Sequence, residues 1–131
     1  MRLRPIIFVF LMLMVFSITA ACRNRDDPFA VDETVLTVCN NTCAQHGQCG
    51  QLADGRKAVL ASIFGPAVSM HDRFFEDGTV VIVNESNDRE LIAARDGVPL
   101  YLESTPFPHT FYRVTAVDKT AWVSQWCLER P

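Results

Sequence analysis

The hydrophobic positions of this chain form one unbroken block at the front and short alternating runs behind it. Ile6 to Phe16 is continuous apolar sequence. Far downstream, Thr110 to Leu128 reads TFYRVTAVDKTAWVSQWCL, two β-prone runs around a polar turn at Asp118-Lys119, which predicts a hairpin. On its first run Tyr112, Val114 and Ala116 alternate with Arg113 and Thr115. On its second, Ala121, Val123 and Cys127 share one face while Trp122, Ser124 and Trp126 share the other. One side therefore suits a core, and the aromatic side is left for something else.

Between these ends the pattern predicts further short strands separated by turn residues. Ala58 to Phe64 is the first, closed by Gly65-Pro66. Asp72 to Phe75 reads as a charged and aromatic link. Asp77-Gly78 turns into Thr79 to Val83, a β-branched run expected to be buried. Ser86 to Arg89 is a turn signal before a strand from Glu90 to Ala94, and Asp96-Gly97 is another before Val98 to Leu102. Pro106 and Pro108 exclude a central strand from Ser104 to Thr110. Five or six such strands predict a mainly β fold, a small barrel or sandwich.

The front block changes the setting. Arg2 and Arg4 precede it and Thr19-Ala20-Ala21-Cys22 follow it, the order of an export signal over residues 1–21. The apolar run is short for a membrane span, which needs about 20 residues. Ala20, Ala21 and Cys22 resemble the lipobox of bacterial lipoproteins, with Thr19 where Leu is usual. That resemblance implies that Cys22 carries a lipid anchor on the outer face of the cytoplasmic membrane. Residues 22–34 (Arg23 to Thr34 charged, with Pro28) read as a flexible tether, 35–56 as a Cys-rich segment and 57–131 as the β domain. Removal of 1–21 leaves ten basic and fifteen acidic residues, a net charge of −5. An acidic domain without a basic stripe is a poor nucleic-acid binder, so no nucleic-acid partner is expected.

The motif order LASIFGPAVS (Leu60 to Ser69), GTVVIV (Gly78 to Val83), FYRV (Phe111 to Val114) and AWVSQWCL (Ala121 to Leu128) resembles the bacterial SH3-like (SH3b) domain family over residues 58–128. Ala121 stands where that family usually has Gly, and the section from Glu85 to Phe107 is longer than its pattern. The resemblance implies a small SH3-like β-barrel and a binding or targeting module, often at the cell wall, with no catalysis of its own.

Four cysteines remain beside Cys22. Cys39, Cys43, Cys49 and Cys127 are an even set in an exported domain, which predicts two disulfides among three pairings. Because Cys127 sits on the Val123 face, one bond is expected from it back to the Cys-rich segment and the other within that segment. The segment would be a short helix or loop, with Cys39 and Cys43 on one helix face and Gly47 and Gly50 ending it. The competing chemistry is a metal or thiol site on Cys39, Cys43, His46 and Cys49, whose spacing matches no common zinc signature. A cell-wall hydrolase would need His71 with Asp72, or His109, as base. There is no Gly-x-Ser-x-Gly elbow, and Asn40-Asn41-Thr42 and Asn84-Glu85-Ser86 read as chance polar turns. No cofactor or metal is expected. In the SH3-like topology that the resemblance implies, Tyr101, Phe107, Trp122 and Trp126 are the residues to line a ligand groove. The sequence thus points to a non-catalytic binding module held at the membrane by lipid, with a peptide, protein or cell-wall partner.

Overall fold

The computed structural model describes residues 28–92 and 106–131. The signal segment, Cys22, the strand expected from Val98 to Leu102 with its Asp96-Gly97 turn, and Tyr101 lie outside the described residues. Within them the chain is mainly β. Its elements are β1 (Thr34–Thr37), the five-residue helix α1 (Asn41–Gln45), β2 (Cys49–Gln51), β3 (Lys57–Ala61), β4 (Arg73–Glu76), β5 (Val80–Ile92), β6 (Pro106–Thr115), β7 (Thr120–Ser124), a 3-10 turn (Gln125–Cys127) and β8 (Leu128–Glu129). They form two antiparallel sheets, β7-β6-β5-β1-β8 and β2-β3-β4. The sheets do not close into a barrel.

The core lies between them. The expected inner face of the hairpin is there in Tyr112, Val114, Ala121, Val123 and Cys127, together with Val81 and Val83 of β5 and Val59, Ala61 and Phe75 of the smaller sheet. Every one of these side chains is almost wholly removed from water. That burial is the main force holding the two sheets together.

Three local expectations change. Ser86 to Arg89 is no turn: it continues β5, pairing with Tyr112, Phe111, Thr110 and His109. Beyond a bulge between Val83 and Glu85 the strand leaves the core, so polar side chains suit its water-facing surfaces. Arg73–Glu76 is a strand rather than a link, because Phe75 fills the core and its backbone pairs with Val59. The first predicted strand stops at Ala61. Pro106 and Pro108 do lie in β6, but β7 reaches only Thr115 to Phe111, so in their stretch β6 has β5 as its sole neighbouring strand among the described residues. A missing N–H is tolerated on such an edge.

The Cys-rich segment supplies strands to both sheets. β1 sits between β5 and β8, and β2 pairs with β3. Thr37, fully buried, donates its hydroxyl to the Glu76 carbonyl (2.9 Å) and accepts from the Thr79 N–H (3.1 Å). It thereby ties β1 to the turn in which Gly78, at φ 83°, takes a left-handed conformation. Asn40 caps α1, its side chain accepting from the Cys43 N–H at 2.8 Å, and Gly47 at φ 66° follows the helix. Cys39 therefore stands before the helix and not on a face shared with Cys43. Its bond is to Cys49, while Cys43 bonds Cys127. The second disulfide closes a separation of 84 residues. In the chain-entropy account it stabilises by about 4.5 kcal/mol, against about 3 kcal/mol for the 10-residue loop. Residues ahead of β1 are docked too. Phe29 meets the Tyr112 ring edge-on at 5.1 Å, and Arg130 lies 4.8 Å over Phe29 and bonds Glu33 at 2.7 Å.

Candidate functional site

The second face of the hairpin is where the described residues gather unusual chemistry. Strand register puts Arg113 opposite Trp122, Phe111 opposite Ser124, Asn87 opposite Phe111, Arg89 opposite His109 and Leu91 opposite Phe107. Because strand side chains alternate, these residues share the face turned away from Tyr112 and Val114. A loop from Ser62 to Asp72 crosses over that face. Its near end is pinned to β7 by two backbone bonds, Ser62 N–H to the Trp122 carbonyl (3.1 Å) and Trp122 N–H to the Ser62 carbonyl (2.8 Å). Its base is closed by Ile63 N–H donating to the Asp72 carboxylate (3.0 Å) and Asp72 N–H donating to the Ala61 carbonyl (3.1 Å).

Gln48, fully buried beside Cys49, holds the loop from beneath. Its amide nitrogen donates to the His46 and Val68 carbonyls, both at 3.0 Å, and its amide oxygen faces His71 Nε2 at 3.1 Å. Two carbonyls on one side require the amide nitrogen there, so the oxygen faces His71 and Nε2 is the donor. Burial lowers the His71 pKa below its ordinary value, against the opposing effects of the Ala67 carbonyl and Asp72. The Asp72 carboxylate is engaged by Ile63 rather than by the imidazole.

Between loop and sheet lies an open cleft of about 550 Å³, lined by Phe64, Val68 and Met70 on one side and by Arg89, Leu91 and Phe111 on the other. Phe64 is 89% exposed and Met70 is 93% exposed, both large apolar side chains displayed to water. Met70 is moreover held at φ 60°, a left-handed conformation that costs a non-glycine residue roughly 1 kcal/mol or more. Arg89 brings the cleft its positive charge. Among the described residues its guanidinium meets only the Asn87 side-chain oxygen, at 3.4 Å.

An aromatic and imidazole cluster sits beside the cleft. Trp126, carried by the 3-10 turn that follows β7, packs against His109 and Phe107 of this same face. It stacks on His46 at 3.7 Å and 8°, lies 3.8 Å from the His109 ring and 6.1 Å from Phe107. His109 in turn meets Phe111, a cleft residue, at 4.9 Å. It is 2% exposed, and burial first, then His46, pushes its pKa down to about 4. Its Nε2 lies 2.8 Å from Ser124 Oγ, which also accepts the Trp126 N–H at 3.2 Å. Among the described residues the buried His109 Nδ1 has no hydrogen-bond partner. A serine and a histidine in contact resemble the start of a catalytic relay, but among the described residues no group orients the imidazole, and the hydroxyl is buried and holds the Trp126 N–H.

Of the groove residues read from the sequence, Phe107 and Trp126 come together. Trp122 makes no ring contact among the described residues and instead anchors the loop through its backbone. The sulfurs of Cys39, Cys43 and Cys49 are all in disulfides, so the thiolate set needed beside His46 for zinc is not formed. Sequence reading missed Gln48, Phe64, Met70, Arg89 and Leu91. The partners of Gln48 lie as far as 23 residues away and leave no local signal. Phe64 could have been noticed as an aromatic beside Gly65-Pro66. No family model, no curated protein and no solved structure matches this chain.

Proposed function

We propose that the chain is a non-catalytic binding module, exported and anchored by lipid at Cys22 to the outer face of the cytoplasmic membrane, which takes an extended peptide segment of a protein or cell-wall partner. The carrying observation is the cleft, with Phe64 and Met70 held open to water and Met70 in a strained backbone conformation. Exposed apolar side chains in a cleft with one cation at its wall are the make-up of a ligand site. The SH3-like affinity of residues 58–128 belongs to the same proposal and rests on motif order. The open two-sheet arrangement departs from a closed barrel, and the loop around Gly65-Pro66 supplies the displayed residues.

Selection of random peptides on the immobilised protein tests the reading. Enriched peptides should bind the wild type and lose binding to Phe64→Asp. Absence of any enriched sequence, or equal binding to both proteins, would sink it.

A further inference from the structure

β5 has two edges, and they are not equally covered. β6 pairs with it from Ile82 to Ile92. On the other side β1 covers only Val80 to Ile82, and Asp32 and Glu33 extend the cover to Val83 (2.7 and 2.9 Å). From Glu85 to Leu91 no described residue takes up the backbone groups of that side. An uncovered edge of this length is a template for an added strand.

Side-chain chemistry along the edge is selective. Acidic Glu85, Asp88 and Glu90 discourage indiscriminate pairing, the usual service of charges on an edge. Glu85 lies near Arg113 at 3.9 Å, and Asp88 accepts from the Thr110 hydroxyl at 2.7 Å. Among the described residues Arg89 has no carboxylate partner, although the chain is acidic overall at −3. Arg89 and Leu91 also line the cleft, so edge and cleft form one continuous surface. An unneutralised cation there is complementary to a carboxylate brought by the ligand, and Leu91 beside Phe64 and Met70 is complementary to an apolar side chain.

We propose that the edge of β5 left uncovered by the described residues, Glu85 to Leu91, receives an extended peptide of mixed charge as an added strand. A carboxylate side chain lies opposite Arg89, and an apolar side chain two residues away lies opposite Leu91, seated in the cleft. Opposite Asp88 and Glu90, on the other face, the peptide carries basic residues. This rests on the reading of the cleft as a ligand site and adds the mode of binding and the ligand's pattern.

The test uses the full chain in detergent micelles and the peptide acetyl-Thr-Val-Lys-Glu-Lys-Val-Thr-amide. Its palindromic order presents the same pattern in parallel or antiparallel pairing. Backbone amide shifts should move in Glu85 to Leu91 and in Phe64 to Met70. A Gln-centred peptide should bind roughly fivefold weaker, the upper end for one cross-strand ion pair. Arg89→Glu should reverse the ranking in favour of a Lys-centred peptide, and N-methylation of alternate peptide amides should abolish binding. Equal binding after methylation in either alternate pattern, with shifts confined to Phe64 to Met70, overturns strand addition and leaves the cleft reading standing. An unchanged ranking in Arg89→Glu overturns the carboxylate assignment. No shift at millimolar peptide overturns the proposal, while the Phe64→Asp selection judges the cleft separately. Concentration-dependent shifts of the β5 amides without peptide would give the edge to a second copy of the chain and also overturn it.

Discussion

His46 stacks on Trp126 with ring centroids 3.7 Å apart, and the elements that carry them are joined by the Cys43–Cys127 bond. Cys43 lies in α1 just before His46, and Cys127 directly follows Trp126. The stack and the disulfide therefore stand or fall together. In Cys43→Ser/Cys127→Ser, stability should drop by about 4.5 kcal/mol, the loop-closure value. Trp126 fluorescence in the native baseline should also change, because the imidazole is no longer held on the indole. An unchanged midpoint in urea would show that the bond contributes little beyond what packing already supplies.

His109 predicts the response to acid. In the folded chain its pKa is down at about 4, against 6.5 for the unfolded residue. Above pH 6.5 both states are neutral and the group has no effect. As pH falls from 6.5 toward 4 the unfolded state takes up a proton that the folded state does not, so stability is lost across that window. The loss is of order 1–3 kcal/mol, with His71 adding in the same direction. Thermal midpoints of wild type and His109→Phe at pH 7 and pH 5 check it. The variant should lose less on acidification, and an equal loss would place the acid sensitivity elsewhere.

Gln48 is the brace of the cleft loop. Gln48→Leu keeps similar volume but leaves the His46 and Val68 carbonyls and the His71 imidazole without their partner. A cost of about 2–3 kcal/mol follows from unsatisfied buried polar groups. Hydrogen exchange should rise from Ile63 to His71 before it rises in β6. Uniform exchange across the chain would mean that the loop is held by other contacts.

Met70 separates display from stability. Met70→Gly relieves the left-handed backbone conformation while removing an exposed side chain, so stability should stay within about 1 kcal/mol of wild type. Binding of cleft-selected peptides should fall. Retained binding would remove Met70 from the site.

The anchor is tested by processing. With lipoprotein signal peptidase inhibited by globomycin, a larger precursor should accumulate, and Cys22→Ala should release the chain from membranes. If the mature size is unaffected by the drug, lipidation at Cys22 fails.

Periodicity and residue type determined the β character and the inward face Tyr112, Val114, Ala121, Val123 and Cys127, and with the cysteine count they determined one disulfide from Cys127 back to the Cys-rich segment. Those features depend on alternation, cysteine count and residue type, which are local. Tertiary structure decided what local pattern could not. Ser86 to Arg89 carries turn residues, yet it extends β5 because β6 offers it a full set of partners. Pro106 and Pro108 fit a strand because β7 ends short of them. Which cysteine of the segment meets Cys127 was fixed by where Asn40 starts α1. The cleft was the least legible part. Its brace Gln48, its cation Arg89 and its displayed Phe64 and Met70 come from separate stretches of chain. They meet only because Ser62 is pinned to Trp122 and the loop is thereby carried across the second face of the hairpin.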